Sequence, residues 1–465
     1  MGTLREVTDS EQPAPDRWGE RLPRKLGFAS AAAVLIGSTI GSGIFRTPAV
    51  VAERLDVVWL FLAAWAVGGL VAVAGALSYS ELSAMMPRTG GIYVYLRRAY
   101  GGLAAFLFGW TQLLVLRPAS YGAISITSSE YLWRVFAMDG GVEVLGPLTR
   151  AQILAGVLVV VVGWINYRGI DRGAWVQNAS TVLKVAALLA LVVLGLASLG
   201  TTSVSASTAA PRESMSMISA FGLAMVPVLW SYDGWSDVGY VSGEVKDPQR
   251  TLPRAFFFGA SVIAVLYLAV TLAYLLVVPL SQMPGSELIA ADVASAVIGP
   301  VGVVLVSAAV ALSTFGTLNG SMMTGPRIFY AMAEDGLFFR GLAKVQPRYG
   351  TPGGAIILSV VLGVVFVSVR SFAQLADQFV IGIWPFYALG VAAVFILRKR
   401  EPDAERPYRA WGYPVVPALF LGAAVFLLGN YFVQETWTVL ANVAVMLAGV
   451  PVYLVWKRRR DAALG

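Results

Sequence analysis

The sequence predicts an all-α membrane protein with twelve transmembrane helices, and three observations carry that prediction. The 465-residue chain is 57% hydrophobic and only 13% charged, with a mean hydropathy of +0.71, whereas a soluble globular domain is about 25% charged. Apolar runs long enough to cross a bilayer recur along the chain, separated by polar connections. Two of these runs, the first and the sixth, are interrupted by glycine and polar residues at matching places in two groups of five.

The spans are expected at 26–50, 57–85, 102–133, 152–167, 175–199, 216–241, 254–280, 300–333, 354–369, 372–397, 414–432 and 437–456. They divide the chain into a tail (1–25), a first repeat (26–200), a second repeat (216–397), two additional helices (414–456) and a short tail (457–465). Residues 1–25 are polar, contain Pro13, Pro15 and Pro23, and are expected to be disordered. They carry no apolar signal-peptide core, so the first span is the targeting element. With both termini in the cytoplasm, most of the 34 Lys and Arg fall in cytoplasmic tails, loops and span ends, as the positive-inside rule requires. The net charge of +7 and pI near 9.5 therefore record topology and not a nucleic-acid partner. The chain has no Cys and no His. This excludes disulfides, thiolate metal sites and thiol catalysis, and leaves any proton coupling to a carboxylate, a lysine or a tyrosine.

The first break is Gly37-Ser38-Thr39-Ile40-Gly41-Ser42-Gly43-Ile44-Phe45. Each glycine weakens a helix interior by about 1 kcal/mol relative to alanine. A helix interrupted at mid-membrane exposes peptide groups that lipid cannot satisfy, so the break must line a cavity. The second break, Trp230-Ser231-Tyr232-Asp233-Gly234-Trp235-Ser236-Asp237, needs the same explanation. A pair of interrupted spans in corresponding positions points to a transporter site built of backbone near the bilayer centre.

Other residues are polar where the surroundings are apolar. Arg117-Pro118 lies near the middle of span 3, where an unpaired charge costs about 2.5–3.5 kcal/mol on insertion scales. It reads either as a structural arginine holding carbonyls freed by a proline kink or as a pathway residue. Lys184 lies about 15 Å into span 5 at 1.5 Å per residue. It is a structural tie between helices, a fixed cation standing in for a coupling ion, or a proton carrier. Span 8 carries Ser313, Thr314, Gly316, Asn319, Gly320 and Ser321, a small polar face suited to close packing. Trp384-Pro385 in span 10 reads first as packing. The stretch 86–93 resembles an interfacial or re-entrant segment, and 285–296 could cap the outer mouth.

Taken together and in order, these motifs resemble the amino acid–polyamine–organocation superfamily, and within it prokaryotic members of the L-amino-acid transporter family. The resemblance runs from about Arg24 to Trp456. It rests on Ile36 to Phe45; Leu116-Arg117-Pro118; Ser231-Tyr232-Asp233-Gly234-Trp235 with Glu244-Val245-Lys246-Asp247-Pro248 and Leu252-Pro253-Arg254; Ser313 to Asn319 with Arg327; and Arg398-Lys399-Arg400-Glu401-Pro402 with Arg406-Pro407. It implies a leucine-transporter-like 5+5 inverted repeat with helices 1 and 6 broken, plus two extra helices. The substrate carboxylate would sit on the N–H groups of Ser42, Gly43 and Ile44. The α-ammonium would be held by carbonyls of Thr39, Trp230, Ser231 and Asp233. The substrate side chain would lie among Ser120, Ile124, Trp230, which matches the family's gating aromatic, and Trp384. Lys184 matches the lysine that replaces sodium in sodium-independent members, with Ser313 as its partner.

The chain departs from the family pattern at Trp235-Ser236, Pro326-Arg327 and Ile383, which bears on substrate range. Animal members bind a heavy subunit through a cysteine; this chain has none, so no disulfide-linked heavy subunit is expected. The reading is a sodium-independent exchanger of neutral L-amino acids in a prokaryotic inner (plasma) membrane, working by alternating access. No covalent chemistry, cofactor or metal is implied, and the partners are an amino acid and the lipid bilayer. Three alternatives stay open: a proton symporter using Lys184, a cationic amino-acid or polyamine transporter drawing on Asp233, and a sensor that binds without transporting.

Overall fold

The structure is a computed structural model and describes residues 18–199, 216–286, 288–369 and 372–464. The expectation of disorder over 1–25 lies outside the described residues for 1–17 and is corrected for 18–25, where Leu22 is buried, Trp18 packs on Tyr93 and the Gly19 carbonyl accepts the Thr89 N–H; the part of the mouth-capping expectation that falls on residue 287 also lies outside them. The described residues are mostly helical. In order the helices are α1 (Phe28–Thr39), α2 (Gly43–Arg54), α3 (Val58–Met85), α4 (Ile92–Tyr100), α5 (Gly102–Thr111), α6 (Arg117–Val135), α7 (Arg150–Tyr167), α8 (Ile170–Ala197) and α9 (Met217–Tyr232). There follow α10 (Pro248–Val277), α11 (Ile289–Ile298), α12 (Pro300–Glu334), α13 (Gly353–Val369), α14 (Phe372–Arg400), α15 (Val415–Gln434), α16 (Thr436–Leu447) and α17 (Gly449–Leu464). A two-stranded ribbon, β1 (Glu143–Leu145) with β2 (Leu148–Thr149), joins α6 to α7.

Ten helical stretches among the described residues are long and apolar enough to cross a membrane, counting α1–α2, α5–α6 and α16–α17 as continuous stretches. The two other segments read as spans are shorter as helices. α13 has 17 residues, and α9 has 16 before the chain breaks. The bundle is organised around α12, 35 residues long, which packs against α6 and α8, while α10 lies along α3.

Each irregularity has a local cause. α1 ends where Ile40 leaves helical geometry (φ −73°, ψ 80°), and a tight turn from Gly41 N–H to the Thr39 carbonyl (2.7 Å) leads into α2. α9 ends at Tyr232; Asp233 is extended and Gly234 has φ +107°, a region only glycine enters at little cost. The chain then tightens into a 3₁₀ stretch, Asp237–Glu244. Ahead of Arg117-Pro118, Gln112–Leu116 forms a π-helical turn. Proline lacks the N–H that would bond the carbonyl four residues back, and the wider turn accommodates that.

The face of the bundle that carries the N-terminal segment is tied by buried ion pairs. Arg327 on α12 makes a two-pronged bond to Glu244 (2.9 and 3.1 Å), with side chains 1% and 0% exposed. The Glu244 carbonyl accepts the N–H groups of Lys25 and Leu26. Glu81 takes Arg398 (2.6 Å) and the Ala410 N–H (2.6 Å). Removing one member of a fully buried pair leaves an uncompensated charge, at about 3–5 kcal/mol. Arg327→Met is therefore expected to lower thermal stability in detergent by that order, while Glu244→Leu combined with Arg327→Met recovers most of the loss. Equal melting temperatures for wild type and the single variant would show the pair to be energetically idle.

Candidate functional site

The two breaks meet. A small cavity is lined by Ser38 to Gly43 of the first break (except Ile40), by Trp230, Asp233, Gly234 and Asp237 of the second, by Arg117, Ser120 and Ile124 of α6, by Thr317 and Ser321 of α12, and by Phe379 of α14. The breaks touch at backbone level. A Cβ at Gly234 would lie 2.7 Å from the Ser38 carbonyl carbon, and one at Gly43 would lie 2.5 Å from the Ser231 Cα. Glycine is needed at both points because main chain packs against main chain.

The carbonyls freed at the end of α1 are gathered by Lys184. Its fully buried ammonium donates to the Gly37 carbonyl (2.7 Å), the Ile40 carbonyl (2.8 Å) and Thr317 Oγ1 (2.9 Å). All three of its donors are used. The positive charge sits at a helix C-terminus, where the peptide dipoles favour it. The Thr317 hydroxyl, with a single proton to donate, lies 2.8 Å from the Ile40 carbonyl and 3.1 Å from that of Gly37. Ser313 was expected to be the lysine's partner, but it bonds the Ile40 carbonyl (3.2 Å) and shares that acceptor with Lys184. Thr317, one helical turn further along the same face of α12, holds the lysine directly. Gly316 lets α8 approach, since a Cβ there would collide with the Ser180 Cβ.

On the other side of the break, the N–H groups of Ser42, Gly43 and Ile44 bond no acceptor among the described residues. They are the orphan donors of the first turn of α2. Ser38 Oγ and Ser42 Oγ are buried with no partner among the described residues. Gly43 is fixed through its neighbours: Thr47 Oγ1 bonds the Gly43 carbonyl (2.8 Å) and Ser231 Oγ (2.5 Å). Of the carbonyls expected to hold an ammonium, that of Thr39 already accepts the Tyr267 hydroxyl (2.8 Å) and that of Trp230 accepts the Asp233 N–H (3.1 Å). The Thr39 carbonyl also accepts the Gly41 N–H (2.7 Å), so both of its lone pairs are engaged. The Asp233 side chain accepts the Tyr387 hydroxyl (2.6 Å).

Arg117 does not hold freed carbonyls, as the structural expectation had it. It donates to Asp237 Oδ1 (3.2 Å) and Thr324 Oγ1 (3.1 Å) and lies over the Tyr240 ring at 5.0 Å. The cost of a mid-span charge is thus met by a carboxylate seven residues beyond Trp230. Ser120 and Ile124 line the cavity as expected, and Trp230 packs edge-on against Phe379 at 5.3 Å. Trp384 does not line this cavity. It stacks on Phe420 of α15 at 5.4 Å, because five residues turn a helix by about 140° from the face that carries Phe379. Sequence reasoning also missed Asp237, Thr317 and Tyr387. Asp237 was visible as a second carboxylate in an apolar span, and Thr317 as a hydroxyl at helical spacing from Ser313; nothing around Tyr387 marked it.

Gly43→Ala is expected to separate the two breaks and abolish thermal stabilisation by amino acids. Gly41→Ala, whose Cβ would meet only the Thr317 methyl group at 3.1 Å, is expected to keep most of it. Equal behaviour of the two variants would contradict the backbone contact as the determinant of the site.

A family model for amino acid permeases matches residues 26–453. The chain is 30% identical over 442 residues to the serine/threonine exchanger SteT of Bacillus subtilis, covering 94% of this chain and 98% of that protein. It is 30% identical over 437 residues to the human b(0,+)-type amino acid transporter 1, covering 94% and 88%. It is 29% identical over 441 residues to the human large neutral amino acids transporter small subunit 2, covering 94% and 81%. With two broken helices enclosing a polar cavity and a match along nearly its whole length, the chain belongs to the amino acid permease family, within the amino acid–polyamine–organocation superfamily and its L-amino-acid transporter branch.

Proposed function

We propose that the protein is a sodium-independent exchanger of neutral L-amino acids that works by alternating access. The observation that carries this reading is the opposition of helix ends across one cavity. The free N–H groups at 42–44 begin α2, while the C-terminal ends of α1 and α9 face the same space. A helix N-terminus favours an anion and a helix C-terminus a cation, so the cavity is polarised to receive a carboxylate and an ammonium joined by one carbon. Ser42, Gly43 and Ile44 would bind the carboxylate; the carbonyls of Thr39, Trp230, Ser231 and Asp233 would face the ammonium. Ser120, Ile124, Trp230 and Phe379 would surround the side chain, a mixed lining suited to a neutral group.

Independence from sodium is supported by Lys184, whose side-chain nitrogen lies among the oxygens of Gly37, Ile40 and Thr317. With three donors on three oxygens it reads as a fixed cation rather than a proton carrier. Exchange is supported by the names of the relatives, one of them a serine/threonine exchanger. The matching breaks support two repeats of five spans, with α15 and α16–α17 as the extra pair, giving twelve spans in all. The distribution of Lys and Arg supports an inner (plasma) membrane protein with both termini in the cytoplasm. The chain contains no cysteine, so no disulfide to a second subunit can form.

The test is uptake of a panel of labelled amino acids into reconstituted vesicles. Uptake of neutral amino acids is expected only when the vesicles contain unlabelled amino acid, at the same rate with and without sodium. Amines lacking the carboxylate are expected not to compete. Sodium-driven accumulation in empty vesicles, or equal competition by decarboxylated analogues, would contradict the reading.

A further inference from the structure

One carboxylate beside the cavity has no ion-pair partner among the described residues. Arg117 is engaged by Asp237 and Thr324, and Lys184 is spent on the far side of the first break. Asp233 borders the cavity. It forms no ion pair among the described residues. The groups facing it from the neighbouring elements are few. From α14 comes Tyr387, which donates to Asp233 and shares a hydrogen bond with Ser236 (3.2 Å). Tyr79 of α3 packs its ring on Tyr387 at 6.5 Å. The 3₁₀ stretch contributes Asp237 and Tyr240, and α6 contributes Arg117. On α12 the nearby cation, Arg327, is held by Glu244; on α10 the Tyr267 hydroxyl is held by the Thr39 carbonyl; and α1 presents no titratable side chain.

A lone carboxylate at membrane depth needs a cation, and a zwitterionic substrate brings no net charge, its ammonium being matched by its own carboxylate. We propose that Asp233 is a proton-binding site, occupied whenever the cavity holds a neutral amino acid. The proton adds to the carboxylate oxygen that does not receive the Tyr387 hydroxyl and leaves the same atom when the site empties, so no other group changes its bonding. Lys184 keeps its three oxygen partners. The proposal rests on the cavity's being the amino-acid site and adds a proton to the species that cross.

The experiment is binding of a neutral amino acid to purified protein in detergent between pH 5 and 8.5, below the range in which the ligand's own amino group titrates. Wild type and Asp233→Glu are expected to lose affinity as pH rises, approaching tenfold per pH unit at the alkaline end. Asp233→Asn, which cannot titrate, is expected to show a flat profile whatever its absolute affinity. Melting temperature without ligand monitors folding in each variant. A flat wild-type profile, or an Asp233→Asn profile as steep as wild type, overturns the proposal. So does a folded Asp233→Asn protein that binds no amino acid, which would make the side chain a direct counter-ion of the substrate's ammonium. Failure of wild type to bind any amino acid at any pH would instead refute the amino-acid site itself.

Discussion

The structure depends on one ammonium group placed where a helix stops. Ending α1 at mid-depth frees carbonyls that lipid cannot bond. Lys184 takes those at 37 and 40 in a single cluster with Thr317. Its burial is tolerable because its three donors are satisfied and because it faces the negative end of a helix dipole. The lysine thus stabilises the break without occupying the cavity. The positive end of α2 remains unsatisfied and open to a ligand.

The second constraint is closeness of main chain to main chain. Gly43 against Ser231 and Gly234 against Ser38 and Thr39 bring the two breaks into contact, so that helix ends of opposite sign face one small volume. Surrounding hydroxyls fix this arrangement: Thr47 bridges the Gly43 carbonyl and Ser231, and Tyr267 holds the Thr39 carbonyl. Behind them, Asn319 links α12 to α8 through the Gly173 carbonyl and Gln177, and Gln177 reaches the Ala33 carbonyl of α1. The polar face read in span 8 is therefore more than a packing surface, since it locks α1 to its neighbours.

Much of this was legible in the sequence, and the parts that were not share a cause. The breaks were visible because glycine and aspartate inside apolar runs contradict the local pattern. Lys184 stood out because charge at depth demands partners. What a linear reading could not supply was the direction in which side chains point across the bundle. Ser313 and Thr317 lie on one face of α12, and only the packing of α8 decides that the lysine reaches Thr317. Trp384 lies on the same helix as Phe379, yet helical phase turns it toward α15. The partner of Arg117 sat 120 residues away, beyond any local rule, although both charges were in view.

The most direct measurement is an experimental structure with a neutral L-amino acid bound. Its carboxylate is expected within hydrogen-bond distance, about 2.7–3.2 Å, of the N–H groups of Ser42, Gly43 and Ile44, with Lys184 still on the carbonyls at 37 and 40. A carboxylate paired instead with Lys184 or Arg117, or an α1–α2 helix running unbroken through Gly41, would contradict the polarised break as the origin of binding.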